Sequence, residues 1–537
     1  MLTVSTASAD TVTVAKSTGD ENASPAVAKA IASLKDGDTL KFEKGEYHFH
    51  VEGTTRKYIV SCGGKSGEKN MVFSFEGLNN ITVDGGDSTF VWHGPVYPFA
   101  FRNCRGLNVG NFTTTMYRPT VVELTVTEKS DDGFLCKFLD PKCYKIEDGH
   151  IVFDLDIGRF STADDKISVH ALDRCCIEYL FAGDTKASKV HLPAGHMVTD
   201  AEDRGDGMVF FRYRPNDGTN LHFNVGESIA FLLENNRFRS NFFFDSCSDV
   251  RFHDVTVRRG GGMGVVAQFC DGVTLERYNV VPNPGEKVSL TADCMFIVNC
   301  RGKVTIKDCE ISWSMDDAMN CHGNYTKIAK AEGRKATVVN ILERAYPGFF
   351  PYHPGDTVEF AEESSRKVLG TAKIASVGKY GVDSKSVELT FESDVPELPE
   401  GTLVENLTWI PDVTISGCDF HDFMHLRLSG RGKYVIENNR FTRGIGICIM
   451  DLAGYWGEAG RVADMKIRGN QFDNLNRAGN AFIFSGVTGE NPGGPATPNV
   501  HSGLEITGNT YRELNQRNFV QLDGAIDPVV KDNRLAE

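Results

Sequence analysis

The chain has 537 residues, 41% of them hydrophobic and 10% aromatic, enough to build a large core. Its 72 acidic residues outnumber 57 basic ones, for a formal net charge of -15. That balance disfavours nucleic acid and anionic membrane surfaces as partners and suits a neutral one. No run approaches the ~20 apolar residues that span a bilayer.

The opening "MLTVSTASADTV" is too short and too polar for an intact signal peptide, and is expected to follow a leader removed upstream. Next comes "SPAVAKAIASLKDGDTLKF", which predicts a short amphipathic helix with Ser24 as N-cap and Pro25 at its first position. Val27, Ile31 and Leu34 share one face, and Gly37 ends the helix. Such a helix would cap the open end of a solenoid, whose strand edges otherwise stay unpaired.

Self-similarity dominates the rest. The unit "small or polar turn, V-T-I, polar step, C/N-x-F" returns as "LNNITVDGG", "CSDVRFHDVTVRRG", "FCDGVTLERYNV", "NCRGKVTIKDCEI", "IPDVTISGCDF", "RGKYVIENNRF", "VADMKIRGNQF" and "SGLEITGNTY". Val250 to Val273 is 273 − 250 = 23 residues, and Val413 to Val435 is 435 − 413 = 22. Short β runs broken by Gly, Asn and Asp at this period predict an all-β fold, a right-handed parallel β-helix. Leucine-rich repeats lack support, because β-branched residues and Phe replace the fixed leucines. Asn439, Asn470 and Asn509, each two places before an aromatic, are expected at left-handed turns between sheets. Many of the 14 cysteines recur at one place in the unit and read as a ladder of small buried side chains. No CxxC pair points to a metal, although Cys175 and Cys176 are adjacent.

Two regions break the pattern with charged, β-rich stretches and read as inserted antiparallel, barrel-like β modules. The expected organisation is a cap and first coils over 1–120, a module over 121–236, and central coils over 237–330. A second module over 331–404 and C-terminal coils over 405–537 complete it.

The chemistry concentrates in "LTADCMFIVNCRGKVTIKDCEISWSMDDAMNCHGNY". Asp293 to Asp316 is 316 − 293 = 23 residues, so the two should stack on adjacent rungs, ~4.8 Å apart, with Asp317 beside them. Three crowded carboxyls cost Coulomb energy unless one is protonated or each meets a partner. Glycoside hydrolysis uses that arrangement, one carboxyl as acid and another activating water or attacking carbon. Alone, "DD" after a serine is as often a polar turn. Asn320 and His322 project to one side, as candidate substrate-hydroxyl ligands, while Met319 and Cys321 point to the core. Gln268 is expected beside the aspartates. His425 and Arg427, two apart, form either a substrate clamp or a solvated face. Gly260, Gly261 and Gly262 allow close backbone approach or a tight turn rather than phosphate binding. The aromatics of Tyr346–Asp356 and Trp456 offer stacking surface for sugar, or packing for an insertion.

"TADCMFIVNCRG" followed by "SMDDAMNCHG" resembles glycoside hydrolase family 110, the bacterial exo-acting α-1,3-galactosidases. "DTVTVAKSTGDENASPAVAKAI" and "GNQFDNLN" are similar too, so the resemblance spans the chain. It implies a parallel β-helix with inserted barrels that removes terminal α-1,3-linked galactose, on blood-group-B-type or linear glycans. It further implies inversion of configuration and no metal or other cofactor. Asp293, Asp316 and Asp317 match the family's active-site carboxylates. By analogy with family 28 polygalacturonases, Asp316 would be the acid, with Asp293 and Asp317 holding water. This sequence lacks the polygalacturonase Arg-Ile-Lys triplet and has "HLR" instead, which disfavours an acidic pectin.

Two other readings follow from the fold. A polysaccharide lyase would use Lys or Arg as base, often with Ca²⁺ on the acidic cluster. A non-catalytic carbohydrate-binding β-helix would hold sugar without releasing it. The glycan substrate implies a secreted, periplasmic or cell-surface location, and the insertions offer surfaces on which a homodimer can form.

Overall fold

The computed structural model describes residues 9–163, 168–171, 192–193, 198–213, 224–233, 239–341, 348–454, 456–473, 481–487, 499–512 and 518–536. Parallel rungs about 4.8 Å apart stack each side chain on its counterpart one coil earlier. One face of the resulting β-helix runs from Thr39–Phe42 through Thr82–Trp92, Arg105–Met116, Ser248–Val257 and Asp271–Val280 to Arg301–Lys307. It continues through Pro411–Ser416, Lys433–Glu437, Asp464–Arg468 and Leu504–Thr507 to Val529–Lys531. Register places Val109, Phe252, Leu275, Ile306, Ile415, Ile436, Ile467 and Ile506 in one apolar column. A second face contributes Phe73, Phe99, Phe242, Val265 and Met295 to the same core.

The corners explain the repeated Cys and Asn. The left-handed residue is the one before each: Asn103, Ser246, Phe269 and Asn299 precede Cys104, Cys247, Cys270 and Cys300. Likewise Asn438, Gly469 and Gly508 precede Asn439, Asn470 and Asn509. The expectation that these asparagines themselves form the turn is therefore corrected. They point inward as a ladder: Asn439 Nδ2 donates to Asn470 Oδ1 at 3.0 Å, and Asn470 Nδ2 to Asn509 Oδ1 at 3.0 Å. Each also donates to a carbonyl, Asn470 to that of Ile436 at 2.9 Å. The described cysteines are buried free thiols, as a ladder requires; Cys175 and Cys176 lie outside the described residues.

The helix, Ser24–Ser33, packs Val27 into the N-terminal end of the core. Its N-cap is Ala23, not Ser24, whose Oγ instead donates to the His50 carbonyl at 2.8 Å. Asn22 takes the capping role, accepting from the Ser24 N–H at 2.9 Å. The helix ends at Leu34, and Gly37 serves the turn that follows.

Both interruptions of the repeat are antiparallel modules with their own cores. The first is built on Val121–Ser130, Gly133–Phe138, Val198–Gly205, Met208–Tyr213 and Ser228–Leu232. In the second, Met319–Glu332 runs out of the β-helix and closes a barrel with Lys335–Asn340, Ser386–Phe391, Val368–Val377, Thr357–Ala361 and Leu403–Asn406. Among the described residues no helix is long and apolar enough to cross a membrane.

Removing one rung of the asparagine ladder strands its buried neighbours. Asn470→Ala should lower stability by about 1–3 kcal/mol, read as a drop in the urea midpoint.

Candidate active site

The aspartates sit where two rungs turn a corner. Leu290 bridges Ser314 and Phe296 pairs with Asn320, offsets of 314 − 290 = 24 and 320 − 296 = 24. The residue over Asp293 is therefore Asp317, one place beyond the expected Asp316. The Cys294 N–H, donating to the Asp317 carbonyl at 2.9 Å, fixes this register. Asp316 occupies the bend, where its Oδ1 accepts from the Asp317 N–H at 3.1 Å and its carbonyl from Ser314 Oγ at 2.7 Å. One oxygen from each of the three carboxyls lies within 4.8 Å of the others. Asp293 and Asp317 are only 2% and 3% exposed, whereas Asp316 is half-buried.

The next rung, His425–Leu428, supplies the compensating charge. His425 Nδ1 lies 2.8 Å from Asp317 Oδ1, and Arg427 Nε donates to Oδ2 at 3.0 Å. Burial alone would raise the Asp317 pKa, but the Arg427 guanidinium and His425 outweigh it and hold the carboxyl below its usual range. Burial also lowers the His425 pKa, so a neutral ring donates its Nδ1–H to the ionised Asp317. His425 and Arg427 thus face Asp317, both buried, rather than forming the expected clamp on substrate or a solvated face.

Asn320 and His322 project outward from the strand whose Met319 and Cys321 enter the core. Asn320 pairs in register with Arg427, and its Nδ2 donates to Glu458 Oε1 at 3.2 Å. His322 Nε2 lies 3.8 Å from the same oxygen, while its Nδ1 donates to the Gly323 carbonyl at 2.6 Å. Glu458 arrives on a short strand, Glu458–Ala459, paired antiparallel with Gly323 and Asn324. Sequence reasoning missed it, because a lone acid in "GYWGEAG" carries no periodic signal.

Gln268 is not beside the aspartates. Gly260 bridges Leu290 and Val265 pairs with Met295, which sets Met263 under Asp293 and Gln268 five positions, ~16 Å, along the strand. Its amide is engaged by the Val60 carbonyl and the Cys62 N–H at 3.0 and 3.1 Å. Gly260 and Gly262 are packing positions: a Cβ on Gly262 would lie 2.1 Å from the Arg239 carbonyl oxygen. Of the Tyr346–Asp356 aromatics, Tyr346 lies outside the described residues, and Phe349, Phe350 and Tyr352 are buried as packing groups. Trp456 is exposed.

Arg427→Met should leave Asp317 buried without its cation, costing about 3–5 kcal/mol near neutral pH. In the native protein Asp317 contributes stability above its unfolded pKa, and this is lost as pH falls through the lowered folded value. The deficit of the variant, measured by urea denaturation, should therefore narrow as pH falls through the carboxylate range.

No protein-family model matches the chain. It is 28% identical over 513 residues to α-1,3-galactosidase A of Shewanella woodyi, covering 93% of this chain and 80% of that protein. It is 27% identical to α-1,3-galactosidase B of Bacteroides thetaiotaomicron, over 84% of this chain and 73% of that one. Against α-1,3-galactosidase A of Streptomyces avermitilis the figures are 28%, 92% and 82%. Among solved structures, the mannuronan C-5 epimerase AlgE4 A-module of Azotobacter vinelandii aligns over 95% of this chain and 90% of its own. Its TM-score is 0.35 at 10% identity, too loose a likeness to add to the traced topology. The sequence relationship takes in the central coils that carry all three aspartates, and the protein is a homologue of the bacterial α-1,3-galactosidases A and B.

Proposed function

We propose that the protein is an exo-acting, inverting glycoside hydrolase that removes terminal α-1,3-linked galactose from branched blood-group-B-type or linear glycans. The observation that carries this is Asp317, held ionised by Arg427 and His425 within a cluster of three carboxyls, in a homologue of α-1,3-galactosidases. With Asp317 charged, like-charge crowding favours a proton on one neighbour, as a general acid requires. Asp316, half-buried at the bend, is the member with room to approach a leaving group. In this assignment Asp316 protonates the glycosidic oxygen as the C–O bond breaks. Asp293 and Asp317 orient a water and take its proton as its oxygen bonds the anomeric carbon.

The spacing bears directly on stereochemistry. Inverting pairs usually stand ~6.5–9.5 Å apart and retaining pairs ~5–5.5 Å. Oxygens within 4.8 Å fall on the near side, so inversion here rests on the family resemblance. A polar, uncharged substrate also fits the acidic chain. Such glycans place the enzyme outside the cytoplasm, where the buried thiols are sheltered from reaction.

Gal-α-1,3-Gal and the B-antigen trisaccharide should both be tested, with the released anomer followed by NMR. The β-anomer is expected first, with kcat lowered at least ~100-fold in Asp316→Asn and in Asp317→Asn. The α-anomer first would replace inversion by a carboxylate nucleophile, and no galactose from either would sink the proposal. Because both Asp317 oxygens already accept hydrogen bonds, a chelator should leave the rate unchanged; loss of rate with an unsaturated, ultraviolet-absorbing product would favour a lyase. The pH profile of kcat should be bell-shaped, and the Asp316→Asn variant should lack the alkaline limb.

A further inference from the structure

Next to the aspartates lies a second polar cluster that the hydrolytic step does not use. Asn320, His322 and Glu458 are 4%, 3% and 6% exposed. Asn320 Oδ1, His322 Nε2 and Glu458 Oε2 are nevertheless buried atoms without a hydrogen-bond partner. Buried polar atoms are almost always paired, so three in one place call for a group that completes them. The three side chains adjoin one another: Glu458 Oε1 is 3.2 Å from Asn320 Nδ2 and 3.8 Å from His322 Nε2.

Their chemistry is one-sided. Asn320 Oδ1 and Glu458 Oε2 only accept. His322 commits its Nδ1–H to the Gly323 carbonyl, which leaves Nε2 as its remaining polar position, 3.8 Å from Glu458 Oε1. These two acceptors, Asn320 Oδ1 and Glu458 Oε2, repel a carboxylate, phosphate or sulfate and match the hydrogens of neutral hydroxyl groups, which can pair with His322 Nε2 as donor or as acceptor. Their position is equally specific. Asn320 is three residues after Asp317 in the chain and pairs with Arg427, whose Nε holds that aspartate. Glu458 lies beside this strand, paired antiparallel with Asn324, and bridges back to Leu452.

We propose that Glu458, Asn320 and His322 form a hydroxyl-binding subsite that holds neighbouring hydroxyls of the terminal sugar while its anomeric carbon lies at Asp293, Asp316 and Asp317. The assignment rests on the glycosidase reading and deepens it. Glu458 becomes a specificity-determining residue. An acidic sugar is excluded by the same acceptors.

The test uses the whole protein, Gal-α-1,3-Gal, and substrates lacking one ring hydroxyl of the terminal galactose in turn. With the native protein, at least one deoxy position should lower kcat/KM by ~100-fold or more. Glu458→Gln, which keeps the volume, should lower kcat/KM by ~10- to 100-fold and weaken inhibition by free galactose, leaving the pH profile of kcat in place. In that variant the penalty at the critical deoxy position should shrink. The proposal is overturned if the native protein releases galactose but no deoxy position costs more than ~3-fold, or if a folded Glu458→Gln retains the full deoxy penalty. Should Glu458→Gln not fold, the native deoxy series and Asn320→Ala decide by the same criteria. A native protein that releases no galactose rejects the glycosidase reading instead, a separate outcome.

Discussion

Parallel strands about 4.8 Å apart, in register, set every residue of this protein directly against its counterpart one coil away. For apolar side chains that repetition is favourable, and the column from Val109 to Ile506 fills the core with it. For asparagine it is favourable as well, since one amide both donates and accepts, and the ladder from Asn439 to Asn509 satisfies itself and the adjoining carbonyls. For aspartate the same stacking is unfavourable. Asp293 over Asp317, with Asp316 at the bend, concentrates negative charge that an ordinary rung would not carry.

The coils on either side answer that cost. His425 and Arg427 come from the rung that follows the aspartates in space but lie 108 and 110 residues after Asp317 in sequence. Their position is decided by the pairing of Met319 with Leu426, which aligns the whole rung. Arg427 stands between Asp317 and the cluster of Asn320, His322 and Glu458, so one cation adjoins both halves of the site. A charge of this kind, buried and bound by geometry, contributes more to the ionisation of its neighbour than to net stability.

The barrel formed by the second insertion is not a loose appendage. Its strand Met319–Glu332 begins as a rung of the β-helix, so the insertion is continuous with the strand that bears Asn320 and His322. A buried ion pair and a half-buried one then tie it to later coils: Arg366 Nη2 to Asp451 Oδ1 at 2.9 Å, and Arg431 Nη2 to Glu405 Oε2 at 2.6 Å. Asp451 also accepts from the Tyr325 hydroxyl at 2.9 Å. These contacts flank the segment that delivers Glu458, so the barrel and the candidate subsite share one support.

Much of this was legible in the residues themselves, because a solenoid repeats its physical demands at a fixed period. The β-helix, its two interruptions and the gathering of three aspartates follow from spacing, since a coil of about 23 residues can only return to the same face. Local reading went wrong by single positions. Asp293 meets Asp317 rather than Asp316, and the left-handed residue precedes the asparagine, because corner lengths differ by one residue from coil to coil. What the sequence could not decide is which side chains from distant rungs meet. Arg427 and His425 on Asp317, Gln268 turned to the Val60–Cys62 loop, and Glu458 over Asn320 depend on pairings across more than a hundred residues, and on an insertion whose length the period does not count. Such contacts are set by the packing of whole elements, and only the tertiary structure specifies them.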